Sequence, residues 1–322
     1  MNYLTDITPL LDPDLVEGFA KMPVRSGPFD PDARRAQGRQ LFAAYRASLP
    51  PLTDIVIRDA WASGEPGATE VPVRIFAPAA AAADTGAVLL WMHGGGFFTG
   101  HHEDEDIIAA PWVRELGITV VSVGYRMAPE HPWPAATDDC WRALNWVASS
   151  SKPLGFRPSR IAVGGISAGG ALAAATAIRA RDEQGPALCL QLLLVPCTDN
   201  RSATPSMLAL DDRRQWNREA NQLAWQLYAG GDGEVDPVAA PARATSLAGL
   251  PRAYIEVAGA DPLRDEGIEY GCRLLQDDVP TELHVFPGAY HASTYLQPTA
   301  SISARARVET VAVLRRHLAT FS

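Results

Sequence analysis

Short apolar segments alternate with longer amphipathic segments along most of this 322-residue chain. Segments such as AVLLWM and QLLLV are continuously apolar, which is typical of strands that helices cover on both faces. From residue 71 onward, the pattern predicts seven strands: Val71–Phe76, Ala87–Met92, Ile118–Val123, Arg160–Gly164, Cys189–Val195, Ala253–Val257 and Thr281–Phe286.

Helical periodicity fills the intervals between these strands. The predicted helices are Asp106–Glu115, Ala135–Ser149, Ala168–Arg181, Leu263–Leu275 and Ser301–Leu318. Strands that alternate with helices in this way form a mostly parallel sheet. The pattern therefore predicts an α/β fold, with a mostly parallel twisted sheet flanked by helices.

Two stretches lie outside this alternation. Residues 1–50 read as helix and loop, and residues 200–232 contain the helical segment RQWNREANQLAWQLYAG. Segments added after the carboxyl ends of strands lie over the ligand crevice of an open α/β sheet. We therefore expect a cap, with residues 1–50 as its N-terminal helices and residues 51–322 as the catalytic domain that carries the insert. The alternative is that both stretches are ordinary peripheral helices.

Composition narrows the choice of partners. Hydrophobic residues make up 47% of the chain and charged residues 20%, as in a globular protein. The formal net charge is −9 and no long run of Lys and Arg is present, so nucleic acid and anionic membranes are poor candidates.

Targeting signals and cysteine spacing narrow the location. Neither a secretory signal nor an apolar run of about 18 residues is visible, and we expect a soluble cytoplasmic protein without membrane insertion. The four cysteines have no metal-ligand spacing, so we expect reduced, buried thiols.

The strongest local motif is the sequence GISAG at residues 165–169, which lies between a predicted strand and a predicted Ala-rich helix. A G-x-S-x-G motif in that context predicts a nucleophile elbow, in which glycines allow strand and helix to approach closely around a strained serine. Ser167 is therefore the candidate nucleophile. The alternative is a glycine-rich nucleotide-binding turn, but the chain has neither G-x-G-x-x-G nor a Walker lysine.

A serine nucleophile requires a base, which follows it in the chain order of this fold. Three histidines follow Ser167: His284 lies inside a predicted strand, His317 inside the terminal helix, and His291 in the loop after the last strand. Since catalytic groups of open sheets lie in such loops, His291 is the candidate base.

The acid that orients the base should follow the preceding strand. Asp261 has this position, although an aspartate before Pro262 is also a good helix N-cap. A carboxylate that caps the helix has fewer lone pairs left to orient His291. Asp265 and Glu266, in the first turns of the same helix, are weaker candidates.

The sequence HGGGFF at residues 93–98 directly follows the predicted strand AVLLWM. Consecutive glycines leave backbone N–H groups free to face a developing oxyanion, as in lipases and esterases. We expect this glycine loop to supply oxyanion donors, with the N–H of Ala168 as the third donor, and His93 to brace the loop.

The run HHEDED at residues 101–106 invites a metal-site interpretation. Acidic residues ahead of a helix also stabilise its N-terminus without any ion. We therefore expect no metal site and no cofactor.

The motifs HGGGFF, YRMAPEHPWPAATDDC, GISAGG, DPLRDEG and PGAYH occur in this order. Together they resemble the hormone-sensitive-lipase-like family of α/β-hydrolases, also called family IV of the bacterial lipolytic enzymes, over about residues 71–295. The resemblance implies a serine carboxylesterase with Ser167, Asp261 and His291 as its triad. It implies too that the oxyanion donors are the N–H groups of Gly95, Gly96 and Ala168. It also implies that the N-terminal helices and the insert form a cap over the acyl pocket.

The chain departs from the family pattern at three places. Ile166 replaces an acidic residue, Gly124 replaces an aspartate, and Ala292-Ser293 replaces Gly-Phe after the catalytic histidine. None of these positions belongs to the predicted triad. Within the family-like segment 125–140, we expect Glu130 to order loops rather than to react.

The expected function is hydrolysis of short to medium acyl esters, a class of small-molecule substrate. The alternatives are lactones, carbamates, amides or acetylated sugars with the same machinery, or a non-catalytic ligand-binding homologue. A homodimer is possible, and the acidic net charge should disfavour anionic esters. The predicted pocket walls are Phe29, Phe98, Met207, Leu208, Trp216 and Trp225.

Overall fold

The computed structural model describes residues 3–25, 27, 30–48, 52–63, 69–79, 86–150 and 156–318. Within these ranges, eight strands form one sheet in the order β1-β2-β4-β3-β5-β6-β7-β8. Their bounds are β1 Ile55–Ala62, β2 Val71–Pro78, β3 Gly86–Met92, β4 Thr119–Val123, β5 Phe156–Ile166, β6 Leu190–Leu194, β7 Ala253–Ala258 and β8 Thr281–Phe286.

All seven predicted strands are present, and the mostly parallel α/β sheet is confirmed. Strands β4, β3, β5, β6, β7 and β8 run parallel, while β2 pairs antiparallel with both β4 and β1. Strand β1 is absent from the prediction because most of its side chains face solvent, Val56 and Trp61 among them, so no buried pattern marks it.

Helices cover both faces of the sheet. The α-helices are α1 Pro13–Ala20, α2 Pro31–Ser48, α3 Asp106–Leu116, α4 Ala135–Ser149, α5 Ala168–Asp182, α6 Pro205–Ala209, α7 Arg218–Ala229, α8 Arg264–Gln276, α9 Ser293–Leu296 and α10 Ser301–Leu318. Single-turn 3-10 helices lie at Thr8–Leu10, His102–Asp104 and Pro241–Arg243.

The hydrophobic core lies in two layers because successive strand residues point to opposite faces. On one face, Leu90 of β3 packs with buried side chains of α4, α5 and α8. On the other face, Trp91 packs with buried side chains of α1, α3 and α10. Each fully buried leucine contributes about 2 kcal/mol, so the two layers fix the strand ends that carry the site.

The two stretches outside the strand-helix alternation contact each other. Leu4 forms a parallel bridge with Leu210, and its N–H donates to Ala209 O at 2.8 Å. Arg214 pairs with both Asp6 and Asp212, at 2.5 and 2.6 Å. The N-terminal segment is therefore tied to the loop between α6 and α7.

Two expectations about the whole chain can be compared with the structure. Among the described residues, no helix is long and apolar enough to cross a membrane. The four cysteines, all within the described ranges, are free, and Cys140 and Cys197 are buried. The expectation that all four are buried is wrong, because Cys272 is exposed on α8 and Cys189 is half-buried.

Candidate active site

Ser167 occupies a strained turn between β5 and α5. Its backbone has φ 58° and ψ −121°, in the region that side-chain-bearing residues rarely adopt. A Cβ on Gly165 would lie 2.1 Å from Gly169 O, and one on Gly169 would lie 2.1 Å from Met92 O. Both positions therefore require glycine, because strand and helix approach too closely for a side chain.

The structure brings Ser167, His291 and Asp261 together. His291 Nε2 lies 3.0 Å from Ser167 Oγ, and His291 Nδ1 lies 2.7 Å from Asp261 Oδ2. Asp261 follows β7 and His291 follows β8, so adjacent parallel strands deliver the two side chains to one edge of the sheet. The side chain of Asp261 is 1% exposed, and that of His291 is 11% exposed.

Asp261 contacts His291 through one carboxylate oxygen and its own chain segment through the other. While Oδ2 meets His291, Oδ1 accepts a hydrogen bond from the N–H of Leu263 at 3.0 Å. The N-cap position of α8 is occupied by Leu263, so the alternative role of Asp261 as the helix N-cap is wrong. The hydrogen bond from Leu263 fixes the carboxylate in the turn ahead of α8, in the orientation that His291 needs.

The weaker candidates for the acid and the base have other positions and contacts. Asp265 accepts from the N–H of Ser206, and Glu266 accepts from the N–H of Thr198, both at 2.7 Å. His284 lies on β8 against the ring of Tyr254, with centroids 5.2 Å apart. His317 lies near the end of α10.

The glycine loop, HGGGFF at residues 93–98, passes beside Ser167. A Cβ built on Gly94 would lie 3.6 Å from Ser167 Cβ. Gly95 and Gly96 have φ of 121° and 60°, and a Cβ on Gly96 would lie 2.5 Å from the indole of Trp216. The loop needs glycine both for its backbone conformation and for the space beneath Trp216.

His93 braces this loop. Its Nδ1 is 2.8 Å from Gly94 O, its ring stacks on Tyr125 at 4.2 Å, and the Tyr125 hydroxyl donates to His93 O at 2.8 Å. Burial lowers the pKa of His93 to about 3, so the ring is neutral at physiological pH. It carries no charge that would compete with an oxyanion.

Comparison with known proteins agrees with this geometry. A family model described as alpha/beta hydrolase fold matches residues 89–294. The chain is a member of this alpha/beta hydrolase family. The family prediction made from the motifs is therefore confirmed.

Several relatives found in this comparison are named as esterases. Esterase LipI of Mycobacterium tuberculosis is 39% identical over 287 residues, which cover 88% of this chain and 88% of that protein. Carboxylesterase NlhH of the same species is 38% identical over 261 residues, 79% of this chain and 81% of that protein. Among solved structures, bacterial heroin esterase has a TM-score of 0.92 at 41% identity, and the match covers 98% of this chain and 100% of that chain.

In this hydrolase, an arginine of α2 holds the glycine loop from outside the sheet. Arg35 Nε donates to Phe98 O and its guanidinium donates to Ala128 O, each at 2.5 Å. The same guanidinium forms a bidentate pair with Glu130 at 2.6 and 2.7 Å. Glu130 thus orders loops as expected from the sequence, whereas no sequence signal marks Arg35, because its contacts are more than sixty residues away.

We expect Arg35→Met to lower kcat for a neutral ester by about tenfold. Loss of a whole oxyanion donor costs about a hundredfold or more, and here the donors are displaced rather than removed. Arg39→Met, an exposed change on the same helix, is the matched control and should retain full activity. Steady-state kinetics and melting curves distinguish a loss of activity from a loss of stability. An Arg35→Met protein that melts at a lower temperature yet keeps its kcat would contradict the prediction.

Gln215 is a second residue that sequence reasoning missed. Its side chain accepts from the N–H of His291 at 3.0 Å and donates to Ala260 O at 2.9 Å. It is 2% exposed and lies in the loop before α7. Gln215 therefore joins the loop that carries His291 to the loop that carries Asp261. A lone glutamine in an irregular segment gives no sign of this role in the sequence.

The departures from the family pattern have local explanations at two positions. A Cβ on Gly124 would lie 2.5 Å from the ring of His102, so the buried histidine occupies the space of a side chain there. Ala292 has φ 60°, a conformation that glycine adopts at lower cost. Ile166 is 7% exposed and lines the cavity beside Ser167.

A cavity of about 620 Å³ opens onto Ser167 and His291. Phe98 and Trp216 line it, as predicted. Met207 and Leu208 do not, which corrects their predicted role as pocket walls: Met207 is fully buried in the core on the α5 face, and Leu208 follows it on short helix α6. Their apolar character reflects packing of the insert.

Two further predicted walls also fall outside the cavity lining. Trp225 is fully buried in the core on the α5 face, and its role as a pocket wall is likewise corrected. Phe29 lies outside the described residues.

The cavity carries charges of both signs, which the net charge did not indicate. Its basic lining residues are Lys21, Arg25, Arg34 and Arg214, and its acidic ones are Asp104 and Glu105. Burial lowers the pKa of Arg25 to about 9. The expectation that anionic esters are disfavoured stays a prediction, since the local field differs from that of the whole surface.

Two histidines and one acid that follow the glycine loop lie close together. One ligand atom each of His101, His102 and Glu103 lies within 4.8 Å of the others. Glu103 also faces Arg74, with 3.5 Å between Nη2 and the carboxylate, and a neighbouring guanidinium opposes a bound cation. That this cluster holds no metal remains a prediction.

Proposed function

We propose that this chain is a serine carboxylesterase that hydrolyses short to medium acyl esters through an acyl-enzyme. The observation that carries the proposal is the hydrogen-bonded chain from Ser167 through His291 to Asp261 beside the glycine loop. Relatives named esterase and carboxylesterase support the same reaction class. No cofactor takes part in the proposed reaction.

In the proposed mechanism, His291 Nε2 takes the Ser167 proton as Oγ attacks the ester carbonyl carbon. Asp261 holds the proton on Nδ1 and stabilises the imidazolium that forms. The N–H groups of Gly95, Gly96 and Ala168 bind the oxyanion. The imidazolium then protonates the leaving alcohol, and water activated by His291 releases the acid and restores Ser167.

We also propose that residues 1–50 and the insert at 200–232 form a cap over the cavity. Leu41 and Phe42 of α2 line the cavity from one stretch and Trp216 from the other, which supports a shared wall. The bridge between Leu4 and Leu210 supports a single unit. The cap would then set acyl-chain preference, because its side chains bound the space beyond Ser167.

A panel of 4-nitrophenyl esters from acetate to hexadecanoate tests this proposal. A cavity of about 620 Å³ has the size typical of pockets for drug-sized ligands, which favours short to medium acyl chains. We expect kcat/KM to be highest from acetate to octanoate and at least about tenfold lower for hexadecanoate. A preference that rises steadily to hexadecanoate would contradict the short-to-medium assignment while leaving the esterase proposal intact.

The alternative substrates are tested in the same experiment. Matched amide, lactone, carbamate and acetylated-sugar compounds are assayed on the parent and on Ser167→Ala. A parent that turns over one of these classes faster than every ester would replace the ester assignment. The homodimer and the cytoplasmic location stay predictions from the sequence.

A further inference from the structure

Glu105 is an acid inside the cavity that the proposed reaction does not use. It immediately precedes α3, is 6% exposed, and lines the cavity together with Ser167 and His291. The indole Nε1 of Trp91 donates to its Oε2 at 2.5 Å. Among the described side chains, Trp91 is its hydrogen-bond donor and no cation pairs with it. Because a carboxylate accepts about four hydrogen bonds, capacity for a ligand remains.

The neighbouring acids differ from Glu105 in having a cation. Arg46 contacts Asp104 at 2.7 Å and Asp106 at 3.2 Å. The pKa of Glu105 is raised to about 8, chiefly by burial and in addition by the charges of Asp104 and Asp106, against the lowering effect of the Trp91 hydrogen bond. An empty cavity therefore holds a mostly neutral Glu105 at neutral pH, and an arriving cation would favour its carboxylate.

The cavity wall also contains apolar side chains, among them Ile107 and Ile108, close to Glu105 in the chain, and Ile166 next to Ser167. A protonated amine that enters such a space loses its hydration, which is costly unless a carboxylate replaces the lost water. Glu105 supplies this replacement.

We propose that Glu105 forms an ammonium subsite, which selects esters that carry a basic amine. The proposal rests on the proposed esterase function and names a substrate class for it. If the ligand binds as an ammonium ion, Glu105 releases its proton to solvent. If the ligand binds as the neutral amine, Glu105 transfers its proton to the amine nitrogen. Both routes end in the same ammonium–carboxylate pair.

The cations of the cavity lining belong to other elements. Lys21 and Arg25 come from the segment between α1 and α2, Arg34 comes from α2, and Arg214 comes from the loop before α7. Glu105 therefore differs from them in coming from the segment that leads into α3.

Isosteric ester pairs test the subsite. One pair is 2-(dimethylamino)ethyl acetate and 3-methylbutyl acetate, and the other is ethyl 4-(dimethylamino)butanoate and ethyl 5-methylhexanoate. In each pair a nitrogen replaces one carbon, in the alcohol limb or in the acyl limb. The measured quantity is the ratio of kcat/KM for the amine to that for its alkyl isostere, with product followed by NMR at neutral pH.

We expect the parent to give a ratio of one or more for at least one pair, and Glu105→Gln to lower that ratio about tenfold. The glutamine keeps an acceptor for Trp91, and the ratio cancels any effect that the change has on both esters alike. Glu103→Gln is the matched control, because it removes a carboxylate from the neighbouring turn outside the cavity lining, and it should leave the ratio unchanged. A structural role for Glu105 would lower both rates equally and leave the ratio unmoved.

The subsite is overturned if Glu105→Gln changes the ratio by less than about threefold. It is also overturned, without any variant, if the parent gives ratios below about one tenth for both pairs. The alkyl esters report on the proposed function separately, since a parent that hydrolyses none of them contradicts the esterase and not the subsite. In that case calorimetric binding of the amine esters to Ser167→Ala, with and without Glu105→Gln, measures the subsite directly.

Discussion

Ser167→Ala is expected to lower kcat for a short neutral ester by about 10⁶-fold, to a residual rate set by the oxyanion donors and substrate binding. The hydroxyl lies 3.0 Å from His291 Nε2, and no other described hydroxyl is hydrogen-bonded to that nitrogen. The expected loss is therefore nearly complete.

Two measurements accompany the rate for Ser167→Ala. The melting temperature should change little, because alanine keeps the backbone contacts of the turn, in which Ser167 N–H donates to Leu194 O at 2.9 Å. A 4-nitrophenyl phosphonate should phosphonylate Ser167 Oγ with release of 4-nitrophenol. The peptide that contains Ser167 should therefore gain the mass of the phosphonyl group in the parent and not in the variant. An alanine variant as active as the parent, or an adduct on another residue, would refute Ser167 as the nucleophile.

Asp261→Asn should lower kcat by about 10⁴-fold with little loss of stability. The amide can donate to His291 Nδ1, which favours the tautomer with its proton on Nε2, and that tautomer cannot accept the Ser167 proton. Asparagine keeps Oδ1 as an acceptor, so the hydrogen bond from the N–H of Leu263 is retained.

Asp265→Asn provides the matched control for this change. It removes a carboxylate four residues along the same segment, where Asp265 accepts from the N–H of Ser206 and pairs with Arg264. Its kcat should stay within about threefold of the parent, because the partners of Asp265 are Ser206 and Arg264 rather than Ser167 or His291. A larger rate loss in Asp265→Asn than in Asp261→Asn would reverse the assignment of the acid.

Prediction from the sequence was most successful where the chemistry is local. The strand-turn-helix context around Ser167 requires small residues at fixed positions, and the clashes that a Cβ would meet at Gly165 and Gly169 explain them. The glycine loop was recognised for the same reason. The chain order of base and acid then selected His291 and Asp261 from few alternatives.

Prediction failed where a residue's role depends on distant contacts. Arg35 reaches Phe98 and Glu130 across the fold, and Gln215 joins two loops that are distant from it in sequence. Met207 looked like a pocket wall because apolar side chains in an insert can face either the core or a ligand. Composition does not distinguish these two surroundings.

The sequence by itself determined the sheet, the order of its strands along the chain, the nucleophile turn and the glycine loop. These features depend on periodicity and on backbone conformations that a few residue types permit. Tertiary structure alone decided that the carboxylate of Asp261 accepts from the N–H of Leu263 ahead of α8 while it contacts His291, and which side chains of the N-terminal stretch face the cavity. It also placed Glu105 in the cavity wall, where no cation among the described side chains pairs with it. The physical reason is that burial and pairing of a charge depend on what the rest of the chain brings to it.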